Sequence, residues 1–251
     1  MERYIVGIGD ALWDCLPEGR KLGGAPANFA YYMMLFGFDS LAVSAIGNDE
    51  LGAEIKETFD KAGLKYMLQV TDYPTGTVTV DIDQRGIPSY DIKENVAYDY
   101  MSYTPQLEEV AKKCNVACFG SMTQRNPVSR KTIRKFLESM PQTVETYKVF
   151  DINLRQHFYD KEIISESLRL CNVFKINDEE LVIVKKMFGL DEKRKINTFS
   201  KGMQKQAAFH LSICTRPDLL ILDEPVDGLD PVMRRQVMSL ILSEVAQNET
   251  T

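Results

Sequence analysis

Short apolar segments alternating with helical stretches constrain this chain more than any other feature. Residues 4–9, 41–46, 116–120, 149–152 and 173–176 each read as a short buried strand, and helices are expected over 26–36, 129–140 and 161–170. Strands that are apolar on both faces and separated by helices build βαβ units, and so a mostly parallel sheet. Between residues 66 and 100 the texture changes. From Thr75 to Ile82 apolar and polar residues alternate, Asp83-Gln84-Arg85-Gly86 reads as a turn, and residues 87–92 return. That pattern is a hairpin with one wet face. Val78, Val80 and Ile82 form its dry face, which is expected to be covered by a ligand site or by a second subunit.

The charge balance narrows the function classes. Thirty Lys and Arg against 36 Asp and Glu give a net charge of -6, and no basic run is present to neutralise a nucleic-acid backbone. The first residues run straight into a strand without a leader pattern, and no run of 18 apolar residues occurs, so a cytoplasmic chain with no direct membrane insertion is expected. Cys15, Cys114, Cys118, Cys171 and Cys214 contain no CxxC pair, and His157 and His210 are far apart. This does not suggest a metal site or a disulfide framework.

Parallel α/β sheets bind ligands beyond the carboxyl ends of their strands. After the first strand stand Asp10 and Asp14, two carboxylates able to accept hydrogen bonds from a polyol. Gly23-Gly24-Ala25-Pro26-Ala27-Asn28 follows, where paired glycines let the backbone approach a ligand and Asn28 offers both donor and acceptor. In the loop 47–52, Asp49 is a candidate helix N-cap.

The order of the motifs Gly-Ile-Gly-Asp-Ala-Leu-Trp-Asp, Gly-Gly-Ala-Pro-Ala-Asn-Phe-Ala, Ile-Gly-Asn-Asp-Glu-Leu-Gly, Pro-Thr-Gly-Thr-Val, Phe-Gly-Ser, Asp-Ile-Asn-Leu-Arg and Lys-Ile-Asn-Asp-Glu-Glu resembles the PfkB-type (ribokinase-like) carbohydrate kinases, fructokinase type, over about residues 1–190. The resemblance implies that Asp14, Gly24 and Asn28, beside Asp10 and Gly23, hold sugar hydroxyls. It places Arg155 near the transferred phosphoryl group and lets Asn177 and Glu180 organise magnesium and phosphate through water. It implies Mg2+ and ATP as cofactors, a small-molecule sugar as substrate, and a β lid at about 66–100 that pairs two subunits into a homodimer.

From about residue 191 the motifs change. Ser200-Lys201-Gly202-Met203-Gln204, then Asp223-Glu224-Pro225, then Asp227-Gly228-Leu229-Asp230 resemble the signature loop, Walker B strand and D-loop of an ATP-binding-cassette ATPase. The kinase family's Gly-Ala-Gly-Asp segment, with its catalytic Asp, does not occur, and neither does a Walker A loop. The expected fold class is therefore α/β: a ribokinase-like three-layer parallel sheet with a small β lid, C-terminally truncated and continued by a helix-strand-helix fragment of a cassette ATPase. Residues 1–190 and 191–251 form the two parts, with the strand at 219–222, which contains Leu220, expected beside 173–176. The functional expectation is a sugar kinase by lineage that lacks the catalytic segment. The alternatives are an ATPase component of a transporter and a non-catalytic sugar-binding or dimerising module.

Overall fold

The computed structural model describes residues 3–82 and 88–189. The turn at 83–86, the cassette-like residues Ser200, Gly202, Gln204, Asp223, Glu224 and Asp230, and the strand expected around Leu220 lie outside the described residues. The chain divides into two compact units between Lys175 and Ile176, some fifteen residues before the boundary expected near 190.

In the first unit, six strands form one parallel sheet. They are β1 (Tyr4–Ile8), β4 (Ser40–Gly47), β5 (Lys65–Thr71), β8 (Cys114–Gly120), β9 (Tyr147–Asp151) and β10 (Val173–Lys175), in the order β10-β9-β8-β1-β4-β5. All eight residues of β4 are buried, as a strand covered on both faces requires. Helix α1 (Ala25–Leu35) lies along β1 and β4. Helices α2 (Glu50–Ala62), α3 (Pro105–Lys112), α4 (Pro127–Ser139) and α5 (Lys161–Leu170) supply the crossovers. Their starts follow from local chemistry, because Asp49, Thr104, Asn126 and Asp160 each accept a hydrogen bond from a first-turn amide.

The four remaining strands form a second sheet, β3-β2-β6-β7, from β2 (Leu12–Leu16), β3 (Gly19–Gly23), β6 (Gly76–Ile82) and β7 (Pro88–Ile92). This corrects the expected lid. Residues 65–71, at the start of the segment assigned to the lid, form the edge strand of the parallel sheet, pairing with β4. Residues 12–23, for which no strand was expected, form an antiparallel hairpin pairing with β6. The expected hairpin of β6 and β7 is present in antiparallel register. Its dry face is covered by the chain itself at Val78, which packs among Leu12, Ile92, Val96, Tyr98, Met122 and Phe158. Neither a sugar nor a second subunit is needed to hide that side chain.

At its edge, β5 is accompanied by the segment around Ser102. Gln69 Nε2 donates to the Ser102 carbonyl at 2.7 Å, and the Ser102 amide donates back to Gln69 Oε1 at 2.8 Å. In the second unit the described element is α6 (Asp178–Phe188), ended by Gly189 in the left-handed conformation. Among the described residues no helix is long and apolar enough to cross a membrane.

Candidate functional site

The carboxyl end of β1 carries the first candidates. Gly24 joins β3 to α1 with φ 112, in the region favouring glycine, and a Cβ there would overlap the Asp10 carbonyl. A Cβ on Gly23 would overlap Asp14 Oδ2. The two glycines therefore let the backbone lie directly against both acidic residues. The four residues Asp10, Asp14, Gly23 and Gly24 form one cluster.

The two carboxylates differ in what they can do. Asp10 is buried, and its carboxylate accepts from Thr123 Oγ1 at 3.0 Å, from its own amide and from the Ala25 amide. Burial pushes its pKa up, opposed by those hydrogen bonds and by the Arg125 charge. Its oxygens already serve the protein. Asp14 is half-buried on β2, on the same sheet face as Leu12 and Leu16, the residues that pack over or beside Tyr98 and Phe158. Burial raises its pKa as well, opposed by the Arg155 charge. Asp14 is therefore the carboxylate with capacity for a polyol.

Arg155 stands exposed in the loop after β9, with Nη1 3.3 Å from the Leu154 carbonyl. On either side of it, Asn153 and Gln156 hold φ of 39 and 47. Positive φ in two non-glycine residues stores backbone strain, which concentrates at ligand sites. Gln156 Nε2 also donates to the Tyr90 carbonyl on β7, joining the loop to the small sheet. Asn28 sits in the second turn of α1 with its side chain exposed, while its amide makes the first helical bond to the Gly24 carbonyl.

Sequence reasoning missed the residues beneath the lid. Arg125 donates to both Asp99 oxygens at 2.8 and 2.9 Å, to the Lys93 carbonyl at 2.6 Å and to Tyr98 Oη at 3.1 Å, with its guanidinium 4.3 Å from the Phe158 ring centroid. Burial lowers its pKa, but Asp99 and its neighbours outweigh this and raise it overall. A cleft of ≈ 290 Å³ opens beside it, lined by Asn95, Arg130, His157 and Tyr159 among others. A lone Arg after Met-Thr-Gln in a chain with 30 basic residues carries no sequence signal; only the fold brings Asp99 to it.

In the second unit, Asn177 and Glu180 form a capping box. Asn177 Oδ1 accepts from the Glu180 amide at 2.8 Å, and Glu180 Oε2 accepts from the Asn177 amide at 3.1 Å. Both offer hard oxygen atoms of the kind Mg2+ takes. Among the described residues no three acidic, His or Cys side chains gather to hold a metal directly.

Comparison with known proteins agrees with this architecture. The uncharacterised sugar kinase of Pyrococcus horikoshii superposes with a TM-score of 0.62 at 25% identity, over 73% of this chain and 68% of that one. The fructokinase of Xylella fastidiosa superposes with a TM-score of 0.65 at 20% identity, over 76% of this chain and 64% of that one. In sequence, the ATP-dependent 6-phosphofructokinase of Thermoanaerobacterium thermosaccharolyticum is 24% identical over 189 residues, 71% of this chain and 56% of that protein. The ABC transporter ATP-binding protein YtrB of Bacillus subtilis is 41% identical over 64 residues, 26% of this chain and 22% of that protein. This chain therefore spans about half of the phosphofructokinase and about a fifth of the transporter protein. The described fold is the ribokinase-like one, and the short cassette matches are those of a fragment. The pattern of the pfkB family carbohydrate kinases matches residues 18–210, running past the expected junction at 190. On that match, this chain belongs to the pfkB family of carbohydrate kinases.

Proposed function

We propose that the chain binds a neutral hexose of the fructose class at the carboxyl end of β1, beneath the small sheet, and that these 251 residues alone do not phosphorylate it. The observation carrying the proposal is the placement of Asp14. Its carboxylate lies against Gly23 on the sheet face turned toward Tyr98 and Phe158, within the field of Arg155. A half-buried carboxylate beside a cation can accept two sugar hydroxyls, and charge-assisted hydrogen bonds of this kind are the stronger ones. Asn28 and the Gly24 backbone complete the polar set. Arg155 is the phosphoryl-site residue of the lineage in this reading, with Asn177 and Glu180 serving magnesium, and ATP is the phosphoryl donor of complete family members.

Phosphoryl transfer depends on positioning the nucleotide and on neutralising charge on the moving group. In place of Gly-Ala-Gly-Asp the residues after 190 carry the cassette motifs, so the base and the amides for that step are not supplied. The chain is in this view a fusion of two incomplete enzymes, cytoplasmic, and paired into a homodimer through the lid. Calorimetric titration with fructose and, separately, with Mg-ATP tests it, beside a coupled ADP-release assay on the wild type, Asp14→Ala and Glu224→Gln. Heat with fructose, lost in Asp14→Ala, and no ADP release are expected. Fructose-dependent ADP release lost in Asp14→Ala would show an active kinase. Sugar-independent release lost in Glu224→Gln would favour an ATPase, the reading to which the 41% identity with a transporter protein points.

A further inference from the structure

Between β8 and α4 runs a single 3-10 turn, Met122–Arg125, whose Thr123 and Gln124 are buried although polar. Burying polar groups is costly unless each finds a partner, and here the partners lie on other elements. Gln124 Nε2 donates to the Gly120 carbonyl at 2.8 Å and to Ser167 Oγ at 2.9 Å. Arg125 grips Asp99 and the Lys93 carbonyl after β7. Thr123 Oγ1 reaches across 113 positions of sequence to Asp10 Oδ1. The turn is thereby fixed from three sides, and Thr123 has little freedom to point elsewhere.

We propose that Thr123 is a positioning residue of the sugar site, acting through Asp10 on the Gly23-Gly24-Ala25 turn. This rests on the sugar-binding reading above. Asp10 is too buried to offer its carboxylate to a sugar, but it accepts from the amide of Ala25, the residue following Gly24. Gly24 sits against the Asp10 carbonyl, and Gly23 against the Asp14 carboxylate. One buried side chain therefore sets the backbone from which α1 and Asn28 depart and on which Asp14 rests. Without the Thr123 hydroxyl, Asp10, which is shielded from bulk solvent, loses a donor, so the carboxyl group must turn or take up a proton. Either change weakens its hold on the Ala25 amide.

Thr123→Val keeps the shape and removes the donor, while Thr123→Ser restores a hydroxyl. The measurements are the fructose dissociation constant by calorimetry and, without sugar, amide hydrogen exchange at Ala25, with Ala117 and Phe119 of β8 as internal references. The Thr123→Val variant is expected to bind fructose about tenfold more weakly, the equivalent of one lost buried hydrogen bond. Its Ala25 amide should exchange faster while the β8 amides do not, and Thr123→Ser should return both toward wild type. Wild-type fructose affinity in Thr123→Val overturns the proposal, as does an equal loss in Thr123→Ser. If the wild type takes up no fructose, the sugar-binding reading falls on its own. Exchange at Ala25 then decides whether Thr123 sets the turn, and an unchanged rate in Thr123→Val overturns that.

Discussion

Trp13 Nε1 donates to the Leu51 carbonyl at 3.0 Å, fastening the small sheet to the first turn of α2. The indole lies in the core cluster with Ala27, Ile55 and Phe59. Arg20, 6.0 Å from its ring centroid, makes a two-pronged ion pair with Glu54 at 2.9 Å. Trp13→Ala should cost about 3–5 kcal/mol, as for other buried aromatics, read from the urea midpoint. Trp13→Phe, which loses the hydrogen bond and part of the area, should cost less. Because Trp13 is the single tryptophan and precedes Asp14, its fluorescence should also report fructose binding.

Asp49 should contribute to acid sensitivity. Burial works against its charge, but bonds from Thr75 Oγ1, the Thr75 amide and the Gly52 amide outweigh this and lower its pKa. A carboxyl group whose folded pKa is depressed stabilises the protein above its unfolded value, near 3.8, and that contribution is lost as pH falls through the folded value. Asp49→Asn should flatten the decline in thermal midpoint below about pH 4 relative to wild type. Asp49→Ala should cost about 1–2 kcal/mol at neutral pH through the lost helix cap.

The Arg125–Asp99 pair is buried on both sides, at 8% and 2% side-chain exposure. Removing one partner strands the other charge, so Arg125→Met should destabilise the chain by about 3–5 kcal/mol. The double variant Arg125→Met with Asp99→Asn should recover part of that loss, since Asn can still accept from the Val96 amide that Asp99 now caps. A denaturation cycle over the four proteins measures the coupling.

Thiol chemistry separates the cysteines. Burial pushes Cys114 up to about 12 and Cys171 up to about 11, and raises Cys118 further. At pH 8 these three thiols should resist iodoacetamide in the native state and react on unfolding, because the thiolate is the nucleophile. Peptide mass mapping before and after urea treatment checks this.

The sheet was largely legible because its strands are apolar on both faces and separated by helices with polar stretches. Asp49 and the helix from 161 were equally plain, since caps and periodicity are local. The β2–β3 hairpin was hidden for a physical reason. Leu12 faces the cluster around Tyr98 while Trp13 on the opposite face packs against Ile55 and Phe59, so β2 begins buried on both faces and shows no alternation there. Strand β5 was misread because this edge strand has no fully buried residue and so resembles lid sequence. At the candidate site, Asp14 and the paired glycines were named through the family resemblance, and the fold sets Gly23 against Asp14. Thr123 and Arg125 could not be named in advance, because the partners that give them meaning lie 113 and 26 positions away.

The reciprocal bonds between Gln69 and Ser102 bear on self-association. A seven-residue strand at the rim of a sheet is a template onto which another molecule can add its own strand. The primary amide of Gln69 imitates a neighbouring peptide group, offering one donor and one acceptor, and so keeps the 102 segment strapped along that rim. A foreign strand must displace this built-in substitute before it can polymerise onto β5. Gln69→Ala should leave the fold intact yet shorten the lag before thioflavin-positive fibrils form under mild heating.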